Sequence, residues 1–184
     1  MPWRAGLPRE VRVGMRMARG ERVLAASRAA DGSYTVATNR ALHHVPASRI
    51  GTGQDLDAGA DSAADTAGSW RLPYEDILRA EWDDEAGVLR IWEPSLPAGR
   101  TEIPLPSPGA LPETVRERVT ATVVISHHVP LRGRQGVWLS ARRAPGGTDV
   151  RWTALFDAGL DASDPDLRGL AATALEDLRH TTGV

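Results

Sequence analysis

The sequence predicts an α+β fold: an antiparallel sheet of short strands with a helix, then a β-hairpin and an amphipathic C-terminal helix. Three observations predict it. The segments Leu78–Glu93 and Gly136–Phe156 each hold two runs of period-two apolar alternation around a turn signal. Leu167, Leu170, Ala171, Ala174, Leu175 and Leu178 recur at helical spacing near the C-terminus. The connections carry tight-turn chemistry, with Asp-Gly at Asp31–Gly32 and Pro-Gly-Gly at Pro145–Gly147.

Residues 1–19 form a basic arm bearing Arg4, Arg9, Arg12, Arg16 and Arg19, with a short helix expected around Val11–Met17. Gly20–Ala29 reads as a strand. The turn AADGS follows, then a strand, a turn at Asn39 and a further strand across Ser33–Val45, with Tyr34, Val36 and Leu42 as packing residues. Residues 51–69 hold one leucine among Gly, Ala, Asp, Ser and Thr. Such a segment has too little apolar surface to offset its ordering entropy, so a flexible insertion is expected.

Leu78, Ala80 and Trp82 then alternate with polar positions as a strand. DDEAG breaks the pattern, Gly87 suiting a left-handed turn position, and Leu89 and Ile91 resume it. Thr101–Pro108 reads as an edge strand, where proline is tolerated. Leu111–Ser126 is expected to be a helix, with Pro112 and Glu113 in its first turn and Val115, Val119 and Val123 on one face. Its β-branched run TATVVI also fits a strand. In the last hairpin Val137, Leu139 and Ala141 share a face with Val150, Trp152, Ala154 and Phe156 across the strand pair. Ser163 or Asp164 caps the final helix, Pro165 opens it, and Arg179 and His180 complement its C-terminal dipole.

Composition narrows the chemistry. Of 184 residues 41% are hydrophobic and the formal charge is −2, so no bulk field selects nucleic acid or anionic lipid. There is no cysteine, which excludes disulfides, thiolate metal sites and cysteine nucleophiles. There is no lysine either: all 22 basic residues are arginine, so phosphate-loop and Schiff-base lysines are absent. Arg-, Ala-, Gly- and Pro-rich usage is what a GC-rich genome favours. No apolar run reaches the length of a membrane span, and no secretory signal is present, so a cytoplasmic location without membrane insertion is expected.

Asp83, Asp84 and Glu85 with Glu81 crowd a hairpin tip, where a solvated turn explains them better than catalysis does. His43–His44 and His127–His128 are adjacent pairs. Strand neighbours point to opposite faces, so neither pair chelates one ion, and no metal or cofactor is expected. DLDAGAD lacks the glycine and the bidentate glutamate of a calcium loop. GTG at Gly51–Gly53 lacks the dinucleotide fingerprint, and no G-x-S-x-G elbow exists. One positive cluster remains: Arg132, Arg134, Arg142, Arg143 and Arg151 lie within a short span opposed by Asp149 alone, with Trp138 on the strand face of Ser140 and Arg142. Arginine beside an aromatic suits phosphate or a stacked base.

RLPYEDILRAEWDDEAGVLRIWE resembles the strand pair of bacterial pleckstrin-homology-like domains, and GERVLAA resembles their opening strand. With RALHHV, RERVTATVV, HVPLRGRQGV and ARRAPGG, these stretches resemble an uncharacterised actinobacterial protein family from about Gly20 to the C-terminus. The resemblance implies a pleckstrin-homology-like sheet or partial barrel with a helix over 20–128. It also implies a non-catalytic scaffold. Residues 129–184 are expected as a hairpin plus helix packed on that first part, because the helix's leucine stripe must be covered and short connections favour neighbouring elements. Lipid-binding members carry basic residues in the first hairpin turn, whereas AADGS is flanked by Arg28 alone, so phosphoinositide binding is not implied. The expected function is a non-enzymatic interaction module binding an unknown protein partner or itself. The alternative is phosphate-ligand or nucleic-acid binding through Arg132, Arg134, Trp138, Arg142 and Arg143.

Overall fold

The computed structural model describes residues 7–15, 17–50, 68–93 and 99–183. They form α1 (Arg9–Gly14), β1 (Val23–Arg28), β2 (Tyr34–Thr38), β3 (Ala41–Val45), a 3-10 turn at Ala47–Arg49, and β4 (Trp70–Pro73). Next come β5 (Arg79–Asp83), β6 (Val88–Trp92), β7 (Arg100–Pro104) and α2 (Leu111–Thr122). The chain ends with β8 (Val123–Arg132), β9 (Gln135–Arg143), β10 (Val150–Phe156) and α3 (Pro165–Thr182). The fold is α+β with three antiparallel sheets, and among the described residues none closes into a barrel. Most of the insertion expected at 51–69, and part of the arm expected at 1–19, lie outside the described residues. The chain divides into two compact units, Met1–Thr120 and Ala121–Val184. The division expected after residue 128 falls inside β8.

In the first unit two meanders supply the sheets, ordered β1-β2-β3-β4 and β5-β6-β7. Ser33 follows Asp31–Gly32 in the first turn, where Asp31 Oδ1 accepts from the Ser33 amide at 2.9 Å and its hydroxyl at 2.6 Å. Alternation gives each sheet an apolar face. Ala25, Ala37, Leu42 and Leu72 from the first sheet meet Leu89, Ile91 and Ile103 from the second, and Leu111, Val115 and Val119 of α2 join the same core. The opposite face of the first sheet, through Ala26, Val36 and Val45, packs on Leu7, Val11 and Met15 around α1. The β5–β6 turn closes at Gly87, whose φ of +65° suits a residue without a Cβ. As expected, β7 is a sheet edge.

The helix expected over Leu111–Ser126 stops at Thr122, and Val123–Ser126 open β8 instead. The β-branched run loses side-chain freedom in a helix, whereas in a strand it gains a full partner, β9. The last hairpin is therefore two strands of a three-stranded sheet, β10-β9-β8. Its β9–β10 register pairs Val137 with Phe156, Leu139 with Ala154 and Ala141 with Trp152, so the expected apolar positions do share one face. That face packs against Ala171, Ala174, Leu175 and Leu178 of α3. Asp164 caps α3, its side chain accepting from the Asp166 amide at 2.9 Å. Leu167 and Ala171 are buried, but Leu170 is 51% exposed, a correction to the expected stripe. At 100° per residue Leu170 lies at the margin of the arc centred on the other five.

Candidate functional site

Of the four acids near the β5–β6 tip, Asp83 builds the turn. Asp83 Oδ1 accepts from the Ala86 amide at 3.0 Å and its Oδ2 pairs with Arg90 at 2.8 Å. The Ala86 amide, then Arg90, hold its carboxyl below the ordinary value. Asp84 accepts from the Trp82 indole at 3.2 Å, and Glu81 pairs with exposed Arg79 at 2.7 Å. These carboxylates are partnered at the surface, unlike a general acid held protonated by burial.

A buried polar network lies in the first unit. The Glu21 side chain is 0% exposed. It accepts from the Ala18 amide at 2.7 Å, Thr38 Oγ1 at 2.5 Å and His43 Nε2 at 2.9 Å, with Arg71 Nη2 at 3.5 Å. Burial pushes its carboxyl up, but the bonds from His43, Thr38 and Ala18 together outweigh burial and bring it down to about 2. Burial lowers the His43 pKa, with Glu21 opposing. Tyr74 donates to the Thr38 carbonyl at 3.0 Å, and burial raises its pKa. The network ties the loop at Ala18–Glu21, before β1, to β2, β3 and β4 through Thr38, His43 and Arg71. His43 and His44 point to opposite faces: His43 joins this network, and His44 stacks on Trp70 with ring centroids 5.3 Å apart.

The arginines of the last sheet do not converge. Arg142 is only 5% exposed and donates from Nη1 to Thr122 Oγ1 at 3.0 Å; burial lowers its pKa. Arg143, its strand neighbour, points to the opposite face. Arg132 reaches the α3 cap, Nη2 lying 2.9 Å from Asp164 Oδ2, and Arg134 sits in the β8–β9 turn.

Register instead places three rows across the face away from α3. Arg151, Arg142 and Val123 form one, Thr153, Ser140 and Ser126 the next, and Leu155, Trp138 and His128 the third. The middle row is joined by Ser126 Oγ to Ser140 Oγ at 3.0 Å and Thr153 Oγ1 to the Ser140 carbonyl at 3.3 Å. In the third row Trp138 is 46% exposed, and its ring meets His128 at 5.0 Å with a 50° tilt. His128 Nε2 lies 2.8 Å from Asp157 Oδ2, which also accepts from the Gly136 amide at 2.7 Å. His128, then Gly136, hold the Asp157 carboxyl low. Gly136 is required here, because a Cβ would stand 2.0 Å from the Val129 carbonyl oxygen.

Of the predicted site residues, Trp138 alone is both exposed and framed by fixed neighbours. The sequence singled out His128 as half of a histidine pair but not its pairing with Asp157, since the two are 29 residues apart and meet only through the β8–β9 and β9–β10 registers. The single signal was period two, which sets His128 and Trp138 each on a definite strand face. Among the described residues no group of three or more His, Asp or Glu side chains is placed to hold a metal ion. Comparison with protein-family models, curated proteins and solved structures finds no match.

Proposed function

We propose that the protein is a non-enzymatic interaction module that binds a protein partner, or a second copy of itself, through the Trp138 face of its last sheet. The observation that carries this is the exposed indole of Trp138, held against His128, which Asp157 anchors in turn. A large aromatic fixed by its neighbours and flanked by polar groups of the adjacent row, here Ser126 and Thr153, has the anatomy of an interface anchor. The dispersal of Arg132, Arg134, Arg142 and Arg143 weighs against one phosphate or nucleic-acid site, because Arg142 is buried and Arg143 faces the other way.

The first unit fits the same reading. A four-stranded meander, a three-stranded meander and a helix on their shared core is an order that supports a pleckstrin-homology-like scaffold of the actinobacterial type. No helix among the described residues is long and apolar enough to cross a membrane, and we place the protein in the cytoplasm with no cofactor requirement.

The test is photocrosslinking from position 138 in the native host, with analytical ultracentrifugation of the purified protein and of Trp138→Ala. A discrete adduct to a partner or to a second copy is expected, and Trp138→Ala should weaken that association by about 30-fold or more. Association unchanged by Trp138→Ala, or no adduct from position 138, would overturn the reading.

A further inference from the structure

At one end of the first unit's core the apolar lining gives way to polar residues. Leu42 pairs with Ala37 and Leu72 on the inner face of the first sheet. Two residues along, the same face carries a row of different chemistry: Ser27, Thr35, His44 and Trp70, one from each strand. A cleft of about 340 Å³ opens there, bounded by the β1–β2 turn on one side and β7 on the other. His44 and Trp70, stacked with 17° between their planes, form one wall, and Thr101 with Ile103 the other.

Two features of this cleft need a ligand's chemistry. His44, in the lining, has a buried Nδ1 with no hydrogen-bond partner; its cross-strand neighbour Thr35, beside the cleft rather than in its lining, is fully buried with an Oγ1 that also has none. A buried polar atom left unmatched is costly, so the His44 nitrogen favours a ligand that donates to it. The charged side chains of the lining, Asp31 and Glu102, are both acidic. Glu102 meets Arg90 and Arg100 at 3.3 and 3.4 Å in exposed pairs, and Asp31 uses Oδ1 in its own turn. The cleft therefore offers carboxylates, a flat aromatic surface and a ring nitrogen, and no cationic side chain lines it. That set suits a positively charged donor resting on an indole.

We propose that the cleft between the β1–β2 turn, the His44–Trp70 stack and β7 binds a small organic cation, an alkylammonium or alkylguanidinium group. Its size accommodates a ligand of that class. The group is supplied either by a free amine or by an arginine or lysine side chain of a bound chain. Asp31 and Glu102 provide charge, Trp70 provides the ring face, and His44 Nδ1 accepts a hydrogen bond. Burial lowers the His44 pKa, which favours the neutral ring that can accept at Nδ1.

The experiment titrates the intact protein with n-butylguanidinium, n-butylammonium, the neutral n-butylurea and the peptide acetyl-Gly-Arg-Gly-amide. Amide signals of Thr35 and His44 and the Trp70 indole N–H are followed by NMR. Saturable shifts are expected with the cations and not with n-butylurea. Tighter binding of the peptide than of n-butylguanidinium identifies a side-chain source, and the reverse a free amine. Asp31→Asn retains the turn-forming oxygen and Glu102→Gln is an exposed change, so both should fold. Each should weaken binding by about fivefold or more, as loss of one nearby charge predicts. The proposal is overturned by unchanged affinity in both variants, by equal shifts from n-butylurea, or by no shift with any cation up to about 20 mM, the weak end expected of so small a ligand.

Discussion

Replacing Glu21 by glutamine tests the buried network at its centre. The carboxylate takes bonds from Ala18, Thr38 and His43 with no exposed surface, and its pKa falls from an ordinary 4.5 to about 2. At about 1.4 kcal/mol per pKa unit, that fall contributes about 3 kcal/mol of stability. Because the folded value is the lower one, the contribution is fully present above pH 4.5 and is lost as pH falls through it toward 2. By pH 3 the unfolded state is mostly protonated while the folded state is not, and about 2 kcal/mol is gone. Glu21→Gln keeps the shape and one acceptor but carries no charge. Its deficit against the wild type should be about 3 kcal/mol at pH 7 and about 1 kcal/mol at pH 3. Urea unfolding at both pH values, followed through the amide signals of β2 and β3, measures this. A deficit under about 1 kcal/mol at pH 7, or one that stays constant from pH 7 to 3, would refute the assignment of Glu21 as an ionised structural anchor.

Other outcomes follow from the same packing. Gly136→Ala forces a Cβ to within 2.0 Å of the Val129 carbonyl oxygen, so β8–β9 pairing should weaken by about 2–3 kcal/mol in thermal unfolding. Leu139→Ala empties a fully buried position against α3 and should cost about 2–5 kcal/mol in urea unfolding. Arg142→Ala should destabilise by about 2 kcal/mol, whereas Arg143→Ala should stay within about 0.5 kcal/mol, since only Arg142 is buried and bonded to Thr122. Equal effects of the two arginine variants would show that burial does not separate them.

Local pattern alone determined most elements. Period two located β1 to β3, β5 to β7 and the β9–β10 hairpin. Helical spacing located α3, and a proline after a capping aspartate located its start at Pro165. These features depend on residues a few positions apart, so they are legible without the fold. Where two local preferences conflicted, the tertiary structure decided. The TATVVI run suited helix or strand, and the partner β9 turned Val123 onward into β8. Side-chain fate within one element was also decided there. Arg142 and Arg143 are alike in sequence, yet one is buried on Thr122 and the other is exposed. His43 and His44 divide between a carboxylate network and a ring stack in the same way. The pairing of His128 with Asp157, and the Ser27–Thr35–His44–Trp70 row, join residues far apart in the chain. Strand register brings them together, and register is set by the sum of core burial over whole sheets, a quantity no short stretch of sequence contains.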